Sequence, residues 1–376
     1  MKKIFLIILT AMISMSGYAG DSSLTADRFS LPQPGHVFAF PRDYGSHNDF
    51  KIEWWYITGH LFGEDGRRFG FQATFFRSAQ SPPDALADTN FSDFDDNTIF
   101  LAHMALLDVN NGSFIYQQRL NRSGWDASAA PDRLDVRNGS WSLRMTDTNL
   151  QTMSLLGSVG GQASLQLELK PLKPLVVFGS NSVSRKAAEP SAASYYLTFP
   201  RLRVVGQVVV SDETNQVRGE AWMDHEISSS QLGANQSGWD WCCLQFKDGR
   251  EIMAYRMRRK DGTQDDYSTL AWVDTNGKVT QLSSVWFHME TVQTWRSPQT
   301  GAVYPVSIRL FTQDVADGRP VNFLLEPLAK NQELAGGGNI AYWEGSCRVR
   351  DDQGREVGSA FLELTGYAGN LQKDLH

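Results

Sequence analysis

The sequence predicts an all-β protein, and three observations support this prediction. Asn-Gly and Asp-Gly pairs recur along the 376-residue chain, and such pairs are a strong local indication of β-hairpins. Most of them are flanked by short stretches in which apolar and polar residues alternate, as in strands with one buried face. After residue 19, no apolar pattern supports a helix longer than about three turns. Regularly spaced strands joined by tight turns favour antiparallel sandwiches or barrels.

The alternation is clearest in two segments. From 69 to 75, the odd positions hold Phe or Ala, whereas Gln and Thr occupy positions 72 and 74. From 165 to 169, three leucines alternate with Gln and Glu. Because successive side chains of a strand point to opposite faces, each segment predicts a strand with one face in a core.

Two longer segments interrupt this rhythm. Ser78 to Asn97 is polar and rich in Pro and Asp, which predicts a surface loop. Lys173 to Ser194 lacks a sustained period, which in a compact domain is typical of a lid, a binding loop or a mobile loop. A polar stretch from Asp212 to Gln216 lies between two strand-like runs. We therefore predict an N-terminal domain over 20–214 and a C-terminal domain over 215–376, each long enough for one barrel.

The first nineteen residues predict export. Lys2 and Lys3 precede the apolar run Ile4 to Ile13, and Gly17-Tyr18-Ala19 offers small residues for cleavage. This run is too short to span a bilayer, and no later stretch reaches about 18 apolar residues. We therefore predict a signal peptide over 1–19, a periplasmic or secreted mature protein, and no integral membrane segment after cleavage.

Composition and charge exclude several kinds of partner. Hydrophobic residues make up 41% of the chain and charged residues 20%, as in globular proteins rather than disordered ones. The formal net charge is −7 and becomes −9 when the two lysines of the signal peptide are removed. A net acidic protein without a basic tract is not expected to bind nucleic acid or an anionic membrane surface. The oligomeric state is left open.

The three cysteines leave two alternatives. Cys242 and Cys243 would point to opposite faces of a strand, so one of them could form a disulfide with Cys347 in an oxidising compartment. The other alternative is three buried thiols that behave as small apolar side chains. Three cysteines exclude a disulfide-rich scaffold in either case.

The common enzyme signatures are missing. The chain has no nucleophile elbow, no phosphate-binding loop and no HExxH motif. Asp224-His225-Glu226 contains three potential metal ligands, but neighbouring residues of a strand face opposite ways. We therefore predict neither a metal nor a cofactor.

Aromatic residues cluster beside isolated titratable groups. One cluster is Glu53-Trp54-Trp55-Tyr56, and others are Trp222 to Glu226 and Trp239-Asp240-Trp241, followed by Tyr255. The simpler interpretation is that these tryptophans fill barrel cores. His225 lies between two acids, where a carboxylate can orient the imidazole and raise its basicity. A histidine in a strand is more often a core or surface group, so both interpretations of His225 stay open.

At these clusters the chain resembles the secreted family of the carotenoid 1,2-hydratases and AttH-like predicted hydrolases. Short matching motifs include EWWY, GEAWMDHEIS and YWEG. The matching segments are Pro41 to Leu61, Arg67 to Arg77, Ala102 to Asp108, Ser184 to Tyr196, Gly219 to Ser228, Gly238 to Arg259, Tyr342 to Gly345 and Ala360 to Ala368. The resemblance implies two consecutive lipocalin-like barrels that meet along a cleft. In the hydratase branch it also implies addition of water to an isolated C=C bond.

Such a reaction needs a dry acid and stabilisation of a tertiary carbocation, which aromatic faces can supply. We predict His225 as general acid/base, oriented by Asp224 or Glu226, with Tyr255 and Glu53 assisting. The predicted ligand-binding residues are Trp54, Trp55, Tyr56, Tyr195, Tyr196, Trp239 and Trp241.

The chain also departs from the hydratase pattern. Hydratases carry an aromatic residue at the position of Ile227, an acid at that of Met257, and family members often have His at that of Tyr44. The absent acid at Met257 removes the expected proton donor.

Three functions therefore compete. The first is an exported hydratase or hydrolase that acts on an apolar, isoprenoid or lipid substrate. The second is a non-catalytic periplasmic lipid carrier, because a lipocalin-like cavity can simply hold an apolar ligand. The third is a carbohydrate-binding surface built from stacked Trp and Tyr.

Overall fold

The structure is a computed structural model that describes residues 23–82, 97–336 and 341–369. The predicted signal peptide and residues 83–96 of the predicted loop lie outside these ranges. Within them, no helix has both the length and the apolar character needed to cross a membrane.

The described residues form twenty-three strands and two short 3₁₀ helices, Arg42–Tyr44 and Ser284–Trp286. The strands are β1 (Ile52–Gly63), β2 (Arg68–Ser78), β3 (Ile99–Asp108), β4 (Ser113–Arg122), β5 (Ala127–Ala129), β6 (Asp135–Asn138), β7 (Trp141–Asp147), β8 (Thr152–Val159), β9 (Ala163–Pro171), β10 (Val176–Phe178), β11 (Ser184–Arg185), β12 (Ala193–Val210), β13 (Glu213–Ser230), β14 (Gln236–Phe246), β15 (Glu251–Arg259), β16 (Thr269–Val273), β17 (Val279–Ser283), β18 (His288–Arg296), β19 (Val303–Gln313), β20 (Pro320–Pro327), β21 (Glu333–Ala335), β22 (Ala341–Arg350) and β23 (Glu356–Leu364).

The first thirteen strands form one antiparallel sheet that curls into a nearly closed barrel. Its order is β4-β3-β2-β1-β13-β12-β9-β8-β7-β6-β5, with β10 and β11 paired to β12. Asn121 donates from Nδ2 to Oδ1 of Asn138 over 2.6 Å, which joins β4 to β6 across the open side. The two predicted alternating segments lie in β2 and β9, and their apolar side chains enter the barrel core.

The remaining ten strands form a second antiparallel sheet around a separate core. Its order is β17-β16-β15-β14-β23-β22-β20-β19-β18, with β21 paired to β22. Cys242 and Cys347 belong to this core, Cys243 lies between the sheets, and all three cysteines are buried free thiols. The prediction of an all-β chain with two consecutive lipocalin-like barrels is confirmed.

Sheet membership changes between Ser230 and Gln236. The predicted domain boundary at 214/215 lies close to the turn between β12 and β13, and both strands belong to the first sheet. The division of the chain into independent domains at that point stays a prediction.

The segment from Lys173 to Ser194 connects the two sheets. Lys173 donates from Nζ to the carboxylate of Glu251 and to the carbonyl oxygen of Asp274, the latter over 2.6 Å. Arg201, on β12, donates from Nε to the second carboxylate oxygen of Glu251 over 2.7 Å. A buried carboxylate on β15 is thus neutralised by two cations from the part of the chain that forms the first sheet, which ties the two sheets together.

Candidate functional site

A cavity of about 400 Å³ lies between the two sheets. Its walls come from β1, β2, β3, β4, β12 and β13 of the first sheet and from β14, β15, β22 and β23 of the second. It lies outside both barrel cores, in the layer where the outer faces of the sheets meet.

Strand alternation decides which side chains reach the cavity. Trp54 and Tyr56 on β1 line it, whereas Trp55 between them is buried in the first barrel core. On β13, Asp224 and Glu226 line the cavity, whereas His225 stacks on Trp55 with ring centroids 4.8 Å apart. The pairing of β1 with β13 sets Tyr56 opposite Asp224 and Trp54 opposite Glu226. The cavity face of the first sheet therefore alternates aromatic rings with carboxyl groups.

Asp224 is a buried carboxyl group with three hydrogen-bond donors. Tyr196 donates from its hydroxyl group over 2.8 Å, Thr198 over 2.5 Å, and Trp222 from Nε1 over 2.7 Å. Burial nevertheless raises the pKa of Asp224 to about 7, because the donors compensate only part of the lost hydration. A carboxyl group with this pKa can accept or release a proton near neutral pH.

Glu344 and Glu363 form a second carboxyl site on the opposite wall. They are cross-strand neighbours on β22 and β23. Tyr56 donates to Glu344 over 2.7 Å, and Trp239 donates from Nε1 to Glu363 over 3.0 Å. Burial, together with the charges of Glu226 and Asp224, raises the pKa of Glu363 to about 8. Burial and the charge of Glu363 hold the pKa of Glu344 well above its ordinary value. This wall therefore carries protonated carboxyl groups at neutral pH.

Lys186 brings a buried ammonium group to the same cavity. Its Nζ lies 3.2 Å from Oε2 of Glu226, and 4.6 Å and 4.2 Å from the ring centroids of Tyr196 and Tyr255. Burial acts to lower the pKa of Lys186, but the Glu226 carboxylate outweighs it and raises that pKa. Lys186 is therefore protonated at neutral pH, and the cation covers one face of each tyrosine ring.

The raised pKa of Glu363 predicts a loss of stability with rising pH. The folded-state pKa exceeds the ordinary value of 4.5. The stabilising contribution of this group is therefore fully present below about pH 4.5 and is lost progressively as the pH rises to about 8. The side chain in Glu363→Gln does not titrate. The unfolding free energy of the wild type should therefore fall relative to that of the variant by up to about 1.4 kcal/mol for each pH unit across this window. Urea unfolding at a series of pH values measures the difference.

The matched control for that series is Glu326→Gln, because the Glu326 side chain is 44% exposed and pairs with Arg350 outside the cavity. Its unfolding free energy should follow the wild type at every pH. A difference between Glu363→Gln and the wild type that stays constant from pH 4.5 to 8 would contradict the raised pKa.

Behind the cavity wall lies a buried charge network centred on Glu53. His47 Nδ1 and His225 Nε2 each lie 2.8 Å from Oε1 of Glu53, and Arg77 donates from Nε to Oε2 over 3.1 Å. The second ring nitrogen of His47 lies 3.2 Å from Asp43. Burial opposes the charge of Glu53, but hydrogen bonds from the two histidines and the charges of His47 and Arg77 outweigh it and lower its pKa. The network holds the segment that contains Asp43 and His47 against strands β1 and β13, behind the cavity.

The pKa values of the two histidines shift in opposite directions. Burial opposes the charge of His47, but its hydrogen bonds to Asp43 and Glu53 outweigh burial and raise its pKa. Burial lowers the pKa of His225, and Glu53 restores only part of it. His47 is therefore the protonated member of the network and His225 the neutral one.

His47, Glu53 and His225 also form a group with metal-ligand chemistry. Each offers one ligand atom, and these atoms lie within 4.8 Å of one another. As the network stands, both histidines bond to carboxylates and the Arg77 cation occupies the remaining oxygen of Glu53. A metal ion would have to compete with that guanidinium and deprotonate His47, which disfavours metal binding.

The structure brings most of the sequence-predicted residues together, but not all. Those at the cavity are Glu53, Trp54, Tyr56, Tyr196, Asp224, Trp239, Trp241 and Tyr255. Glu53 only borders it, because its carboxylate is held by the network behind. Three predicted residues lie elsewhere. His225 and Trp55 face the first barrel, and Tyr195 packs with Phe50 in a separate apolar cluster that does not line the cavity.

Sequence reasoning missed Glu344, Glu363 and Lys186. Glu344 lies in the YWEG motif and Glu363 in the FLEL stretch, and neither acid has a charged residue next to it in the sequence. A lone acid at a core position is the pattern that could have identified them, because an unpaired buried charge is costly unless it has a role.

The fold and the cavity define an all-β, lipocalin-like protein whose site lies between two barrels. The family model described as AttH-like matches residues 31–367, so the chain belongs to the AttH-like family. No protein of curated function matches the sequence.

Solved structures of other proteins are similar to this chain. A protein from Nitrosomonas europaea described as an AttH has 33% identity and a TM-score of 0.78, with 90% of this chain and 100% of that one covered. Kievitone hydratase from Nectria haematococca has 14% identity and a TM-score of 0.65, with 92% and 96% covered. CghA with Sch210972 has 14% identity and a TM-score of 0.51, with 93% and 98% covered. At 14% identity, the last two show a shared fold alone, and one of them is a hydratase.

Proposed function

We propose that this protein is an acid–base enzyme that hydrates a C=C bond of an apolar substrate held between the barrels. The observation that carries the proposal is a pair of titratable carboxyl groups, Glu363 and Asp224, buried in an aromatic cavity. Protonation of an unactivated alkene requires an acid shielded from bulk water, because water would otherwise accept the proton in place of the alkene. A buried protonated carboxyl group meets that requirement.

In the proposed mechanism, Glu363 is the acid and Asp224 the base. Glu363 transfers its proton to one alkene carbon, which forms a C–H bond and leaves a cation on the other carbon. Water adds to that cation, and the resulting oxonium group loses a proton to Asp224. Proton exchange between the two carboxyl groups, directly or through water, then restores the starting state. Asp224 suits the role of base because its three donors stabilise the carboxylate.

Tryptophan faces stabilise the cationic intermediate in this proposal. Lys186 already covers one face of Tyr196 and of Tyr255, so the tyrosines are weaker partners for a second cation. Trp54, Trp239 and Trp241 line the same cavity. A desolvated aromatic face stabilises a cation by about 2 kcal/mol.

The departure at Met257 does not leave the site without an acid. Met257 lines the cavity opposite Trp239 in the β14–β15 pair, and Trp239 in turn binds Glu363. A carboxyl group on β23 thus stands near the place where the hydratase pattern has its acid. His225 would be a positioning residue, because it supports Asp224 and Glu226 from the opposite face of β13.

Isotope incorporation tests the proposal directly. Purified protein is incubated with isoprenoid alkenes, including lycopene-type carotenoids, in deuterated water and, separately, in water enriched in heavy oxygen. Hydration places one deuterium on carbon and one solvent oxygen in a new alcohol. Parallel incubation with lipid esters covers hydrolysis, in which solvent oxygen enters an acid instead. Absence of solvent isotope in any product would contradict an enzymatic role.

The second candidate is a lipid carrier exported to the periplasm, as the N-terminal sequence predicts. The carrier function is favoured because position 257 holds Met, where the hydratase pattern has an acid. A carrier should co-purify with one apolar molecule per chain and show no turnover, which native mass spectrometry resolves. An empty protein whose tryptophan fluorescence does not respond to lipid would contradict this alternative.

A further inference from the structure

The cavity wall contains two buried polar atoms that have no partner. Gln231 and His103 both line the cavity, and their exposed fractions are 6% and 3%. Within the described part of the chain, Nε2 of Gln231 and Nε2 of His103 make no hydrogen bond. Such atoms are rare in native proteins, because burial removes their water without replacing it. Both atoms therefore indicate a ligand that completes their hydrogen bonds.

The chemistry of His103 defines what it can bind. Its Nδ1 shares a short hydrogen bond with the Tyr342 hydroxyl group. Burial lowers the pKa of His103 to about 3 and raises that of Tyr342, so both groups are neutral. When the Tyr342 hydroxyl donates, Nε2 carries the ring proton and is a donor; in the other tautomer it is an acceptor. A hydroxyl group of the ligand can pair with either form.

The two atoms belong to different parts of the first sheet. His103 lies on β3, and Gln231 directly follows β13, which is three strands away in the order β3-β2-β1-β13. Three strand spacings correspond to roughly 14 Å across the sheet. The register puts His103 in line with Asp224, and Gln231 follows seven residues later, so the two side chains are farther apart than that. Side chains of Leu101, Phe76 and Trp54 line the cavity across that distance. The wall therefore has polar atoms at separated points and an apolar surface between them.

We propose that the substrate is an oxygenated isoprenoid-like molecule, with a hydroxyl or carbonyl oxygen outside the reacting C=C bond, and that Gln231 and His103 bind such oxygens. The inference rests on the proposed function, whose substrate class it narrows. A pure hydrocarbon would leave both polar atoms unpaired and still desolvated. A site that hydrogen-bonds an oxygen discriminates strongly against the analogue that lacks it.

Paired probes test this inference through tryptophan fluorescence, because Trp54, Trp239 and Trp241 line the cavity. Geraniol and farnesol are compared with the hydrocarbons myrcene and farnesene. Hydrophobicity alone favours the hydrocarbons, whereas the inference predicts that the alcohols bind at least about tenfold more tightly, or about 1.4 kcal/mol. Gln231→Met removes the amide at similar volume, and His103→Leu removes the imidazole. Because each alcohol has a single hydroxyl group, which can pair with only one of the two atoms, at least one variant should lose most of the preference, and both should keep their affinity for farnesene.

The matched control is Gln207→Met, the same substitution at a residue on β12 that does not line the cavity. It should retain the full preference, and thermal melting should show that all three variants are folded. Hydrocarbons that bind as tightly as the alcohols to the wild type, or a preference unchanged in Gln231→Met and His103→Leu, would overturn the inference. Isotope incorporation into a hydrocarbon substrate would overturn the inference while supporting the proposed hydration. No response to any probe would overturn both the inference and the apolar substrate class.

Discussion

Glu363→Gln is expected to lower turnover by about 10²–10⁴-fold, the range for loss of a general acid. Glutamine keeps the shape of the side chain and can still accept the bond from Nε1 of Trp239, which spans 3.0 Å in the wild type. It cannot release a proton to an alkene carbon. Binding of the substrate should therefore change little, and the loss should fall on kcat rather than KM.

The pH profile gives a second test of the same residue. Because the protonated form is the active one, wild-type activity should fall as pH rises through about 8. A fall at lower pH is expected near the pKa of Asp224, about 7, since the base must be ionised. The two values overlap, so the profile should be a narrow bell that describes the coupled pair. Glu326→Gln should keep the wild-type rate, and a Glu363→Gln variant with the wild-type rate would eliminate Glu363 as the acid.

Glu53→Gln is expected to lower the unfolding free energy by about 3–5 kcal/mol, the cost of breaking a buried ion pair. The Glu53 side chain is fully buried, and Oε2 accepts bonds from Arg77 Nε over 3.1 Å and from the His47 backbone N–H over 2.9 Å. An amide nitrogen in place of Oε2 would face both donors. Placing the amide oxygen there instead would turn the nitrogen toward His47 and His225. Either orientation leaves the Arg77 cation buried without its counter-charge.

Urea unfolding near neutral pH measures this loss, and Glu213→Gln is the matched control. The Glu213 side chain is 75% exposed and pairs with Arg67 over 3.1 Å. An exposed ion pair contributes about 0–1 kcal/mol, so the control should differ little from the wild type. A Glu53→Gln variant as stable as this control would show that the network does not hold the fold.

The sequence predicted more of the fold than of the site. Alternating apolar and polar residues, together with the Asn-Gly and Asp-Gly pairs, predicted the strands. This signal is local, because a strand with one buried face has an apolar residue at every second position. The same alternation puts residues two apart, such as Trp54 and Tyr56, on one face of a strand. It does not tell which face meets the other sheet. His225, predicted as general acid/base, and Trp55 and Tyr195, predicted to bind the ligand, lie on the faces of their strands that point away from the cavity.

The catalytic proposal depends on contacts between distant parts of the chain. Tyr56 reaches Glu344 across 288 residues, and Trp239 reaches Glu363 across 124. The pKa values of Asp224 and Glu363 rise because these residues are buried where the two sheets meet. Desolvation depends on everything that surrounds a group, so the residues next to it in sequence do not reveal it.

By itself, the sequence determined the all-β class, the resemblance to its family and the abundance of aromatic side chains. Each of these can be recognised from local residue patterns or from short motifs. The tertiary structure decided where the cavity lies, which carboxyl groups enter it and which of them hold a proton at neutral pH. The physical reason is that burial and hydrogen bonding, which set acidity, come from the packing of one sheet on the other.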